Sequence, residues 1–347
     1  MKKNLPAYAS DTIKYLRFVL IIMVVYSHSM PNADSSFKAF YMVHDIVVVN
    51  LFSVAVPLFF FFSGYLFFLG VERFGFGVYK SKLKKRAKTL LLPYIIWSLA
   101  IIALLFVFQK LFPGLFSGTF QNISEFGIRD FWNALWVAPI EYQFWFLRDL
   151  FIAILLTPII WLLIKYLHIL PILALCALYL LRIIIPISGF GVVCLFFFSL
   201  GAFFSIHKID FFGFCDRCFY VLMALSIVLF AASVVIKEGN PYDVFIHRMS
   251  VIAGVFFMIS AGLRLRRLLS RLPEVFYDST FFIYAFHAIP IVLFMRILEK
   301  AGFLSCERNT IIAFFVVPVV IIAISILLYH ILRKIFPRFT SLITGGR

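Results

Sequence analysis

Long, nearly uninterrupted apolar runs occupy most of this chain, and they leave it few ways to fold. Hydropathy along the sequence divides into about ten segments of membrane-crossing length, at roughly 13–31, 45–69, 89–111, 143–165, 168–187, 189–206, 218–236, 244–263, 277–299 and 310–333. Inside a bilayer every backbone N–H and C=O must find its partner within the protein, so runs of this length fold as helices. Composition agrees, because 63% of the 347 residues are hydrophobic and only 14% are charged, whereas soluble domains run nearer half and a quarter. The expected fold is an all-α integral membrane protein of about ten transmembrane helices. No fixed-period repeat or low-complexity linker interrupts it, so residues 1–347 read as a single transmembrane domain. The fifth and sixth segments are the most closely spaced, separated only near Pro186 and Gly189.

The formal net charge of +16 would suggest nucleic acid in a soluble protein. Here the basic residues sit in short loops between apolar runs, which fits membrane topology and anionic lipid instead. With a cytoplasmic N-terminus, one side collects the N-terminal tail, Arg73 to Lys88, Lys165, Lys208, Arg217, the cluster Arg264, Arg266, Arg267 and Arg271, and the C-terminal tail. That is about 20 basic residues against about 7 on the other side. Both termini are therefore expected in the cytoplasm, and a bacterial inner membrane is the natural setting. Lys2 and Lys3 precede an apolar stretch, but Arg17 interrupts it and no small-residue cleavage site follows Met30, so the first helix is expected to be retained. Of the five cysteines, Cys176 and Cys194 fall in apolar runs. Cys215 and Cys218 form one C-x-x-C in a loop assigned to the cytoplasm, read as reduced thiols with no metal expected.

Ionisable groups within the apolar runs carry the functional information, since a charge at the bilayer centre costs about 2.5 kcal/mol or more. Arg17, His28, Arg148, Asp149, His247, Arg248, His287 and Arg296 are such groups. Arg17, Arg248 and Arg296 also suit anchoring near helix ends. Arg17 and His28 are eleven residues apart, about 16 Å of rise and about three turns, which brings them to one helix face. An imidazole is a proton acceptor near neutral pH. Lys80, Lys82, Lys84, Lys85, Arg86 and Lys88 lead directly into the third run. They suit topology and lipid contact, or a cradle for a multiply phosphorylated cofactor. In Glu141-Tyr-Gln-Phe-Trp-Phe-Leu-Arg-Asp149, Trp145 reads as an interfacial anchor, and Arg148 and Asp149 either neutralise one another locally or, as adjacent helix residues, point to different faces. His287 falls near the middle of the ninth run.

Five segments in order, spread along the chain, resemble the integral membrane acyltransferase-3 family, which includes polysaccharide O-acetyltransferases of bacterial envelopes. They are IKYLRFVLIIMVVYSH (13–28), VPLFFFFSGYLFF (56–68), KLKKRAKTLLLPY (82–94), FWFLRDLF (144–151) and STFFIYAFH (279–287). Ser63-Gly64 falls at the family's Ser-Gly turn. The resemblance implies transfer of an acyl group, acetyl in the first instance, from cytoplasmic acetyl-CoA or another acyl-CoA to a hydroxyl of a glycan or lipid-linked glycan on the outer side. It implies His28 as the catalytic residue with Arg17 lining the pantetheine path, and Lys85, Arg86 and Lys88 as the CoA contact. Arg148, His287 and Trp145 would line the substrate cavity. Lys85-Arg86-Ala-Lys88 departs from the family's Arg-x-x-Arg in carrying Lys where Arg is expected, which weakens planar phosphate contact. His28 can serve as general base or as an acyl-accepting nucleophile. Intramembrane charges also mark transporters and exporters, and a non-catalytic scaffold for polysaccharide assembly is the third reading.

Overall fold

A computed structural model describes residues 7–112, 122–185, 187–236, 239–268 and 272–346. Pro186, Arg271, Lys2 and Lys3 lie outside them. The described residues hold helices and connections and no strand. The principal helices are α1 (Ala7–Ser27), α2 (Lys38–Phe68), α3 (Phe76–Leu111), α4 (Tyr142–Leu155), α5 (Thr157–Leu167), α6 (Leu170–Leu180), α7 (Val192–Ile206), α8 (Phe211–Arg217), α9 (Phe219–Val235), α10 (Asp243–Leu268), α11 (Thr280–Phe286), α12 (Ala288–Lys300), α13 (Glu307–Ile335) and α14 (Pro337–Ile343).

Each of the ten apolar segments meets a helix, but the helices are unequal. Four among the described residues, α2, α3, α10 and α13, are long and apolar enough to cross a membrane unaided, and three bent pairs bring that number to as many as seven. α1 has the length, at 21 residues, but Asp11, Lys14 and Arg17 fall in its first half and dilute its apolar character. The segment expected over 168–187 yields only the 11 residues of α6, about 16 Å of helix. Arg182 then adopts a left-handed φ of 58° and the chain leaves the helix.

Prolines explain two of the bends. Pro158 supplies no N–H to the carbonyl of Ile154 four residues back, and the Thr157 hydroxyl donates to that carbonyl at 2.7 Å. α4 and α5 consequently meet at 60°. Pro290 stands four residues after Phe286 and breaks the helix there, so α11 and α12 meet at 51° with His287 at the junction. The third bend, 102° between α7 and α8, follows the left-handed Lys208 at φ 55°. Beyond it the Asp210 carboxylate caps α8 by accepting from the Gly213 amide at 3.0 Å.

α2 and α7 cross with their backbones in contact. A Cβ on Gly64 would lie 1.9 Å from the Phe198 carbonyl oxygen, and one on Gly201 would lie 2.1 Å from that of Phe61. Ser63-Gly64 therefore makes no turn. It lies inside α2, where the absent side chain admits a neighbouring helix, as small residues do in membranes. The start of α2 is capped from a distance, because Glu307 accepts from the amides of Ala39 at 2.6 Å and Phe40 at 3.1 Å. Cys215 is buried within α8 and not in a loop, and Cys218 caps that helix.

One end of the bundle gathers the start of α1 and the basic segment. Lys14 lies 3.9 Å from Glu274, Arg266 lies 3.5 Å from Asp11, and Arg333 of α13 pairs with Asp278. The C-terminal segment packs there too, with the Trp97 indole donating to the Ile343 carbonyl at 2.9 Å.

Candidate functional site

α1 ends at Ser27, and the next residue, His28, stands between two cavities. The first, of about 440 Å³, extends back along α1 past Arg17 to Lys14, with Arg86 and Glu274 at its basic end. From Lys14 to His28 the helix rises about 20 Å. The second cavity, of about 510 Å³, opens on the far side of His28 among Asn32, Arg296, Glu299 and Lys300. Apolar side chains of Ile291, Val292 and Met295 complete its wall.

Two rings frame the imidazole. The His287 ring stacks on it with centroids 5.3 Å apart and planes 16° apart, and the Tyr142 ring meets it edge-on at 4.6 Å. His287 is fully buried. Its Nδ1 faces the Ile283 carbonyl at 3.0 Å, which makes Nδ1 the protonated nitrogen, while Nε2 has no partner. The break at Pro290 therefore places a ring whose tautomer the preceding helical turn decides. The Tyr284 hydroxyl donates to the Gln143 carbonyl at 2.6 Å, tying α11 to the start of α4. Glu141, just before that helix, is buried and accepts from the Gln143 side-chain amide. Burial pushes the Glu141 carboxyl up to about 8.

The residues singled out from sequence divide accordingly. His28, Arg17, Arg86 and Trp145 line the first cavity together, and His287 supports His28 from behind. Lys85 and Lys88 are exposed and do not line it. Arg148 lines neither cavity. Its Nε donates to Asp149 Oδ1 at 2.9 Å, and its Nη1 donates to the carbonyls of Trp136 at 2.9 Å and Val137 at 2.7 Å. The long Arg side chain reaches its sequence neighbour even though the two Cβ atoms diverge, and it caps the short helical turn ending at Val137. His247 joins a separate polar contact, where the Ser233 hydroxyl lies 2.6 Å from Asn50 Oδ1 and 3.3 Å from His247 Nδ1. Arg248 covers the Tyr179 ring at 4.9 Å, and Arg296 lines the second cavity.

Tyr142, Gln143 and Tyr284 were not singled out. A Tyr and a Gln ahead of an apolar run look like interfacial residues, and only the fold brings them to His28. Among the described residues, no group of three or more His, Cys, Asp or Glu is arranged to hold a metal ion.

An imidazole open to two compartments can take a proton from a group arriving through one while the reacting partner waits in the other. The succinoglycan biosynthesis protein ExoH of Rhizobium meliloti (strain 1021) is 29% identical over 363 aligned positions, covering 99% of this chain and 94% of the relative. No solved structure matches significantly. The family described as acyltransferase domain matches residues 11–330, nearly the whole chain, and the protein accordingly belongs to the acyltransferase-3 family.

Proposed function

We propose that this protein is a membrane O-acyltransferase that moves an acyl group, acetyl in the first instance, from cytoplasmic acyl-CoA to a hydroxyl of a surface glycan or lipid-linked glycan on the opposite side. The observation that carries the reading is His28 as the shared wall of two cavities, one with a basic mouth and one lined by mixed polar groups. The proposal includes about ten membrane passages in a bacterial inner membrane with both termini in the cytoplasm. A relative whose name places it in succinoglycan biosynthesis supports a glycan acceptor.

On this reading the CoA phosphates sit at Arg86 and Lys14, and the pantetheine arm passes Arg17 toward His28. The acceptor hydroxyl enters from the second cavity and gives its proton to His28 as its oxygen attacks the thioester carbonyl. The new C–O bond forms, the C–S bond breaks, and the leaving thiolate takes the proton back from the imidazolium. The chemistry needs no metal and no covalent intermediate.

The test is thermal stabilisation of the purified protein by CoA, coupled to acceptor-dependent release of free thiol from acetyl-CoA, in wild type and His28→Ala. Stabilisation of both proteins with thiol release only from wild type is the expected result. Folded wild-type protein that shows neither effect would overturn the reading in favour of transport.

A further inference from the structure

Gln143 stands in an unusual position in the wall of the first cavity. It lines that cavity while only 2% exposed. Its backbone carbonyl is taken by the Tyr284 hydroxyl at 2.6 Å, and its side-chain Nε2 donates to the buried Glu141 carboxyl. The first contact holds the backbone, and the second leaves the side-chain amide with its NH2 end toward Glu141. The remaining atom, Oε1, is buried and has no partner. A buried polar atom held in place without a partner calls for an explanation, and a ligand that completes it is one.

A carbonyl oxygen can only accept, so the ligand group must be a donor. Its surroundings select the kind of donor. Trp145 and Phe146, two and three positions on, line the same cavity wall, which suits an uncharged donor carried on an otherwise apolar chain. Tyr142, the residue before Gln143, meets the His28 ring edge-on at 4.6 Å. Adjacent Cα atoms are about 3.8 Å apart, so the donor lies close to the reacting centre. A secondary amide N–H a short way along the arm of a thioester fits each condition.

We propose that Gln143 recognises the amide of the donor's arm nearest the thioester, two methylenes from the sulfur, and so selects amide-bearing thioesters and holds the acyl carbonyl in register with His28. The proposal rests on the acyl-CoA reading above and adds to it the residue that reads the arm. A site built to bond an N–H discriminates against the analogue that lacks it, because the buried acceptor then stays unpaired.

The experiment compares the dissociation constants of acetyl-CoA and an acetyl-CoA analogue whose sulfur-proximal amide is replaced by an ester, in wild type and in Gln143→Met. The ester keeps the carbonyl, length and phosphates and removes only the N–H. Wild type is expected to prefer the amide about tenfold, about 1.4 kcal/mol. In Gln143→Met that ratio falls to near one. Equal affinity for the two ligands in wild type, as when water satisfies Oε1, overturns the proposal without any variant. A Gln143→Met protein that keeps the tenfold preference overturns it as well. Failure of wild type to bind acetyl-CoA at all would instead remove the donor reading beneath it.

Discussion

The imidazoles of His28 and His287 lie face to face, with centroids 5.3 Å apart and planes 16° apart, although 259 positions separate them in the chain. The two rings have opposite environments. His28 faces both cavities, whereas His287 is fully buried and turned to the Ile283 carbonyl. One ring borders the cavities and the other backs it.

The first consequence concerns His28. Its ring borders two cavities and is half-buried, so its removal costs less packing than that of a core side chain, yet it is the proton acceptor of the proposed reaction. His28→Ala should reduce acyl transfer by about 10²–10⁴-fold, with a melting temperature close to wild type. Acceptor-dependent thiol release and thermal unfolding in the same detergent measure both effects. A variant that retains a tenth of the wild-type rate would rule out His28 as the base.

His287 should behave in the opposite way. His287→Ala leaves a buried void beneath His28 and leaves the Ile283 carbonyl with the backbone N–H of residue 287 as its donor, and about 2–5 kcal/mol of stability should be lost. His287→Asn retains a donor within reach of that carbonyl and should recover part of the loss. Unfolding of the two variants side by side decides the matter, and equal stability would show that the bond to Ile283 contributes nothing.

Arg86 should dominate the basic segment. It lines the first cavity, while Lys85 and Lys88 face outward. An Arg that meets a phosphate through its planar fork typically contributes more than exposed ammonium groups. Arg86→Ala should weaken CoA binding about tenfold or more, about 1.4 kcal/mol, and Lys85→Ala or Lys88→Ala should change it less than threefold or so. Calorimetric titration of the three variants with CoA supplies the comparison. Equal losses would mean that diffuse charge, and not a contact, attracts the cofactor.

The sequence carried much of this fold because apolar run length is a local property. Every expected segment contains a helix, and Arg17 and His28 share a cavity wall as their eleven-residue spacing implies. What escaped was non-local. Neither the bend at Pro290 nor the stacking of His287 on His28 follows from hydropathy, since both depend on which helix arrives opposite. Arg148 misled for a related reason. An ionised side chain in an apolar run announces that it needs partners, but not whether they are a ligand or, as here, Asp149 and two backbone carbonyls. Gln143 carried no signal, because its significance lies in an oxygen that its neighbours leave unpaired.

The crossing of α2 and α7 offers a test of how the scaffold holds the first cavity. Lipid tails give helices no hydrophobic reason to associate, so the close approach at Gly64 and Gly201 is itself the source of cohesion. Gly64→Ala or Gly201→Ala would drive a methyl group into a backbone carbonyl and push the helices apart, costing about 1–3 kcal/mol. α2 also contributes Ser53, Phe59 and Ser63 to the first cavity, so CoA affinity should fall together with stability. Gly77→Ala is the matched control. Its Cβ meets nothing within 4 Å, and it sits in an exposed helical turn. There alanine should be neutral or stabilising by up to about 1 kcal/mol. Thermal unfolding and CoA titration of the three variants separate the effects. Loss at Gly77 equal to that at Gly64 would mean that the α2–α7 contact is not what holds the cavity open.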